Sequence, residues 1–223
     1  WVSMVDATLN TNDPCGSGSV AAAGADTRHT ASVRAGVGTK VVTFDTSGLS
    51  TTVSFAVCYA EAGGNSGATW FDSGVRLTVS KISSLSYGTP ARSLVSTNVA
   101  PATNRLPQVA NTVITYFGDL AVAKWVSLVD STLNGLNGND PCVSGAIASA
   151  GADATHSGEV QAAAGTKVVT IPQSAAFLSV AKTFAVCYAE TDGASTDTTW
   201  RDSYVRIQTS KITTLTYQTA SFD

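Results

Sequence analysis

Two stretches of the chain carry the same spaced set of aromatic, acidic and basic residues: FAVCYAEAGGNSGATWFDSGVR over residues 55–76 and FAVCYAETDGASTDTTWRDSYVR over 184–206. Tyr59 and Trp70, with Tyr188 and Trp200 in the second copy, offer ring faces on which a sugar can stack. Asp72, Arg76, Asp202 and Arg206 supply the hydrogen-bonding groups that would hold its hydroxyls. Paired acids such as Glu61 and Asp72 are also the groups that flank a glycosidic bond in hydrolysis. Two identical active sites in a tandem repeat are a weaker account than two identical building blocks. Neither histidine, His29 nor His156, has a nucleophile-elbow context. The reading is therefore not an enzyme, with no catalytic residue and no cofactor.

Two further motifs recur. GAD..H appears as Gly24-Ala25-Asp26…His29 and Gly151-Ala152-Asp153…His156, and it reads as an Asp turn with a hydrogen-bonded surface His. One His and one Asp per copy lack the spacing of a zinc site. Asn12-Asp13-Pro14-Cys15 and Asn139-Asp140-Pro141-Cys142 are turn chemistry leading into a cysteine, without the DxDxDG run of a calcium loop. No metal site is expected. There is also no N-x-[ST] acceptor for N-linked sugar.

The elements that position these residues are strands. Short runs rich in Val, Ile, Thr and aromatics alternate with Gly, Asn, Asp and Pro, and no apolar period of 3.6 lasts three turns. Ser and Thr make up about a quarter of the chain and charged residues only 13%, a mixture that suits half-buried strands. The chain is expected to be all-β. In the first copy, residues 55–61 and 70–77 should pair as a hairpin. Symmetric pairing sets Glu61 opposite Trp70, Tyr59 opposite Asp72, Val57 opposite Gly74 and Phe55 opposite Arg76. One face then carries Cys58 and looks like the interior, where Cys58 reaches Cys15 on an opposing sheet. The other combines Phe55, Tyr59 and Trp70 with charges, and three uses are open for it: a covered sheet face, an assembly interface, or a glycan platform.

Trp1-Val2-Ser3 returns as Trp125-Val126-Ser127, and the offset grows from 124 there to 130 at Trp70/Trp200 through small loop insertions. Two β-sandwich repeats are expected, 1–92 and 112–223, joined by a Pro-, Ser- and Asn-rich linker over 93–111. The strand TVITYF, with Val113, Ile114, Tyr116 and Phe117, occurs once for two repeats. It completes one repeat or the other, or is donated to a neighbouring subunit. Either way one repeat is short of a strand, and the exposed edge needs a cover.

Each repeat holds two cysteines, Cys15 and Cys58, then Cys142 and Cys187, at nearly the same spacing and with no CxxC. One disulfide per repeat follows, and with it an oxidising, secreted or surface location. Net charge is −3 and the pI is near 5.3, which leaves no basic footprint for nucleic acid. No run of eighteen apolar residues is present to span a membrane. The opening on Trp1, without an initiator Met or a signal segment, reads as a processed or excerpted product.

A disulfide-bearing β-repeat of this size, with the phrases FAVCYAE and TW.DS.VR, resembles the immunoglobulin-like tandem repeats of large extracellular surface and filament proteins, including secreted repeat proteins of microalgae and other protists. There is no Trp midway between the cysteines as in antibody domains; Trp70 follows Cys58. The resemblance implies two tandem Ig-like sandwiches and a role in stalks, adhesive fibres or filaments of the mastigoneme kind. The expected function is a structural subunit that self-assembles with copies of itself or adjacent repeats. The alternative is a tandem carbohydrate-binding adhesin that binds glycans.

Overall fold

The computed structural model of the protein describes residues 1–89, 91–96, 104–135, 140–173 and 177–212. The chain is all-β and divides into two units, Trp1–Val79 and Ser80–Asp223. Each is described by itself.

Unit 1 contains one three-stranded antiparallel sheet in the order β1-β2-β3, formed by Val2–Asp6, Phe55–Tyr59 and Phe71–Leu77. One face of this sheet packs on the segment containing Cys15, through Val5, Ala56, Cys58, Ala60 and Trp70. The other face has a small cluster of Met4, Leu49 and Phe55 at one end. β3 is an edge strand, and every residue in it is exposed.

Among the described residues, unit 2 holds two sheets. Four strands, β4 (Ser84–Tyr87), β5 (Arg92–Val95), β7 (Thr112–Phe117) and β10 (Val168–Ile171), run antiparallel in the order β10-β7-β4-β5. Five strands, β6 (Arg105–Pro107), β8 (Trp125–Asp130), β9 (Val160–Gln161), β11 (Thr183–Ala189) and β12 (Arg201–Ser210), follow the order β6-β12-β11-β8-β9. The inward residues of both sheets make one core, with Leu85, Ile114 and Tyr116 from the first and Leu128, Tyr188 and Ile207 from the second. β7 shows why period-2 alternation is the signature of such a strand. Thr112, Ile114 and Tyr116 point in, while Val113 and Phe117 are exposed.

Two expectations change. The boundary falls at residue 79, not at 92. The stretch 93–111 is not a linker: it contributes to β5 and contains β6, and Leu94 and Leu106 are each 1% exposed in the core. β5 belongs to the four-stranded sheet and β6 is the edge strand of the five-stranded one, so each sheet draws a strand from this stretch. TVITYF, for which either repeat or a neighbouring subunit was open, takes a place in unit 2: it sits between β10 and β4, hydrogen-bonded on both sides, with Ile114 and Tyr116 in the core.

The same repeat therefore meets two fates. Val168–Ile171 form β10 by pairing with β7. Their counterparts in unit 1, Val41 to Phe44, have the sequence VVTF and form no strand; Val41 is 70% exposed. An extended segment is held by ladder hydrogen bonds, and unit 1 contains no strand corresponding to β7.

Candidate functional site

The repeated hairpin is built in the register Phe55↔Leu77, Ala56↔Arg76, Cys58↔Asp72 and Tyr59↔Phe71, with a bulge between Ala56 and Cys58. This is one residue away from symmetric pairing, and a one-residue slip exchanges the faces of a strand. Trp70 therefore lies with the cysteine, not with Tyr59. The same register and bulge recur in unit 2, with Phe184↔Ile207, Ala185↔Arg206, Cys187↔Asp202 and Tyr188↔Arg201.

The bulge explains the DS.VR motif. Gly74 has φ +75° and Tyr204, its counterpart, φ +62°, so the backbone turns into the left-handed region at this point. The Asp72 carboxylate accepts the Gly74 N–H at 2.8 Å and both guanidinium N–H groups of Arg76 at 2.8 and 2.6 Å. Asp202 accepts the Tyr204 N–H at 2.7 Å and Arg206 at 2.8 and 2.6 Å. The bidentate hydrogen bonds from Arg76 hold the Asp72 carboxyl below its ordinary range. Burial works against the charge on Arg206, but Asp202 more than offsets it and the guanidinium pKa rises. These four charged residues lock the bulge, with both members of each pair engaged.

The cysteine face is covered in both units by the NDPC segment rather than by a second sheet. Cys15–Cys58 and Cys142–Cys187 are disulfides. Asp13 and Asp140 accept backbone N–H groups of Gly16 and Cys142, fixing the turn that presents each cysteine. Trp70 and Trp200 pack beside these disulfides at 6% and 1% exposure, and their indole N–H groups donate to Asn65 and Ala194 carbonyls at 3.1 Å. The hairpin loop lies against a second indole: a Cβ on Gly64 would come within 2.2 Å of the Trp1 ring, and one on Gly193 within 2.4 Å of Trp125. Neither Trp70 nor Trp200 can stack a ligand without opening the core.

The two units part company on the opposite face. In unit 2, Tyr188, Val205 and Ile207 are buried under the four-stranded sheet. The Tyr188 hydroxyl accepts the backbone N–H of Lys81 at 3.1 Å, and Lys81 Nζ donates to Glu190 at 2.6 Å. In unit 1 the counterparts Tyr59, Val75 and Leu77 are 37%, 48% and 42% exposed, and Phe71 is 47% exposed. Tyr59 and Phe71 lie side by side with ring centroids 5.5 Å apart. Glu61, the counterpart of Glu190, is exposed. This uncovered face is the candidate site. No family model, curated protein or solved structure matches the chain.

The GAD..H motif is a turn in both units. Asp26 accepts the Arg28 N–H and contacts His29 Nδ1 at 2.8 Å. Asp153 takes hydrogen bonds from Thr155 and His156; burial pushes its pKa up, but these bonds win and hold it at about 2. Asp140, Cys142 and Asp202 bring ligand atoms within 4.8 Å of one another. The Cys142 sulfur is already bonded to Cys187 and Asp202 is clamped by Arg206, so those donors are engaged. Burial, then the Asp202 charge, raises the Asp140 pKa.

Two features of the repeat carry no expectation from the sequence. Asp6 and Asp130 end β1 and β8 fully buried, each accepting the N–H and hydroxyl of a Thr two residues on, and Asp130 also meets Lys182 at 2.7 Å. The repeated DAT and DST triplets are the signal for this turn. The second is the Lys81 contact with Tyr188 and Glu190, whose signal is the recurrence of KISSLSY as KITTLTY after each hairpin.

Proposed function

We propose that the protein is a structural subunit that assembles through its β-repeats into an extracellular filament or cell-surface fibre. The observation that carries this reading is the uncovered sheet face of unit 1, apolar at Tyr59, Phe71, Val75 and Leu77, on a repeat whose other copy keeps the corresponding face under a second sheet. Contiguous exposed apolar surface of this kind marks an interaction site. Two disulfides are compatible with a secreted location. The immunoglobulin-like plan, with its stalks and fibres, belongs to the same reading.

Of the residues a tandem glycan-binding adhesin would use, Trp70, Trp200 and Tyr188 are buried, and Asp72, Arg76, Asp202 and Arg206 pair with one another. Only Tyr59 remains as an exposed ring of that set, and this favours assembly over sugar binding.

Sedimentation and negative-stain electron microscopy of the oxidised chain over a wide concentration range test the reading. Ordered oligomers or fibres that grow with concentration are expected. A dispersed monomer at every concentration, together with glycan-array binding, would replace it with the adhesin.

A further inference from the structure

The uncovered face of unit 1 has a matching occupant elsewhere on the same chain. Lys81-Ile82-Ser83-Ser84-Leu85-Ser86-Tyr87 recurs after the second hairpin as Lys211-Ile212-Thr213-Thr214-Leu215-Thr216-Tyr217, with four positions identical and Thr replacing Ser at three. In unit 2 the first copy of this segment begins the cover: Lys81 binds Tyr188 and Glu190, and Ile82 is 2% exposed in the core.

The second copy begins in the same local conformation at its described residues, Lys211 and Ile212. The Ser80 hydroxyl donates to the Ile82 carbonyl at 3.2 Å and accepts the Ile82 N–H at 3.1 Å. Ser210 makes the same two bonds with Ile212, each at 3.3 Å. Yet Ile212 is 65% exposed, and Lys211 is exposed with no ion-pair partner among the described residues. One chain thus displays both halves of a contact that unit 2 makes internally. The receptor half is Tyr59, Glu61 and the apolar residues of β3; the ligand half is Lys211 and Ile212.

We infer that the segment beginning at Lys211 and Ile212 of one copy seats on the Tyr59–Glu61 face of a second copy, as Lys81 and Ile82 seat on Tyr188 and Glu190. The inference rests on the assembly reading and names its contact. Lys211 Nζ pairs with Glu61, the Lys211 N–H donates to the Tyr59 hydroxyl, and Ile212 covers the sheet beside Leu77. The two surfaces differ, so the contact is head-to-tail, and a contact of that type propagates into an open filament unless its rotation closes a ring.

Zero-length carbodiimide coupling of the full oxidised chain tests this, because it joins a carboxylate to an amine only in direct contact. Light and isotope-labelled chains are mixed and the linked peptides identified by mass spectrometry. Lys81–Glu190 links within single chains report that unit 2 is folded. Glu61–Lys211 links joining light to heavy chains are the expected result. Lys211→Glu should abolish them and Ile212→Asp should weaken self-association roughly tenfold or more, while the double variant Glu61→Lys with Lys211→Glu restores association. Absence of the Glu61–Lys211 link while Lys81–Glu190 forms, or its occurrence only within single chains, overturns the inference. Fibres that persist undiminished in Ile212→Asp sink this contact and leave the filament reading intact. A chain that stays monomeric in every variant sinks both.

Discussion

Tyr59 and Tyr188 hold the same position in two copies of one repeat, yet Tyr188 is fully buried with its hydroxyl bonded to Lys81, and Tyr59 is 37% exposed. The same side chain is a core residue where a second sheet covers it and a surface residue where none does. Tyr188→Phe should lower the stability of unit 2 by about 1 kcal/mol through loss of that hydrogen bond, whereas Tyr59→Phe should leave unit 1 of the monomer unchanged. Chemical denaturation of both variants checks the contrast.

The bulge clamps differ in the same direction. The Asp202 side chain is 3% exposed and that of Asp72 31%. Asp202→Asn takes the carboxylate from Arg206, whose side chain is 34% exposed, and a cost of about 2 kcal/mol is expected from the lost charge-assisted hydrogen bonds. Asp72→Asn should cost below about 1 kcal/mol, because water and salt screen the exposed pair. Equal losses in the two units would show that burial does not set the strength of the clamp.

Gly74 makes a backbone prediction. Its φ of +75° lies in the left-handed region and an added Cβ meets nothing within 4 Å. Gly74→Ala should therefore cost about 1 to 2 kcal/mol from conformation alone. A neutral result in thermal unfolding would mean the bulge relaxes.

Reduction should separate the two units. The disulfides close 43- and 45-residue segments, each contributing about 3 to 4 kcal/mol on the chain-entropy model. Unit 1 has only small clusters to set against that loss, while unit 2 retains the core between its sheets. Calorimetry of the Cys15→Ala, Cys58→Ala variant should show the unit 1 transition lost and the unit 2 transition kept. A single unshifted transition would contradict the assignment.

Asp197 gives a pH dependence. Burial raises its pKa, but hydrogen bonds from Thr199, Gly193 and Asp192 outweigh this and hold it at about 2, against 3.8 for the free side chain. A depressed carboxyl pKa contributes stability that is present above about 3.8 and lost as pH falls toward 2. Asp197→Asn should remove that part of the acid sensitivity. Melting curves of both proteins between pH 5 and pH 2 should converge at the acid end.

The disulfide pairing, the all-β class and the turns at NDPC and GAD..H were legible in the residues because each depends on local chemistry or simple counting. The face of the hairpin was not. A single bulge moves Trp70 to the disulfide side and Phe71 beside Tyr59, and period-2 alternation reads equally well in either register. The linker was misplaced for a related reason: Leu94 and Leu106 look like isolated apolar residues among Pro and Ser until β5 pairs with β4, and β6 with β12 a hundred residues on, and both side chains enter the core.

By itself, then, the sequence determined that one β-repeat occurs twice, with a disulfide and a GAD..H turn in each copy, since those contacts lie within short or covalently joined stretches. Only the tertiary structure decided which segment covers which sheet. The ladder bonds that join β7 to β4 and to β10 link residues far apart in the chain, and the sheet they build buries Tyr188 while Tyr59 stays open.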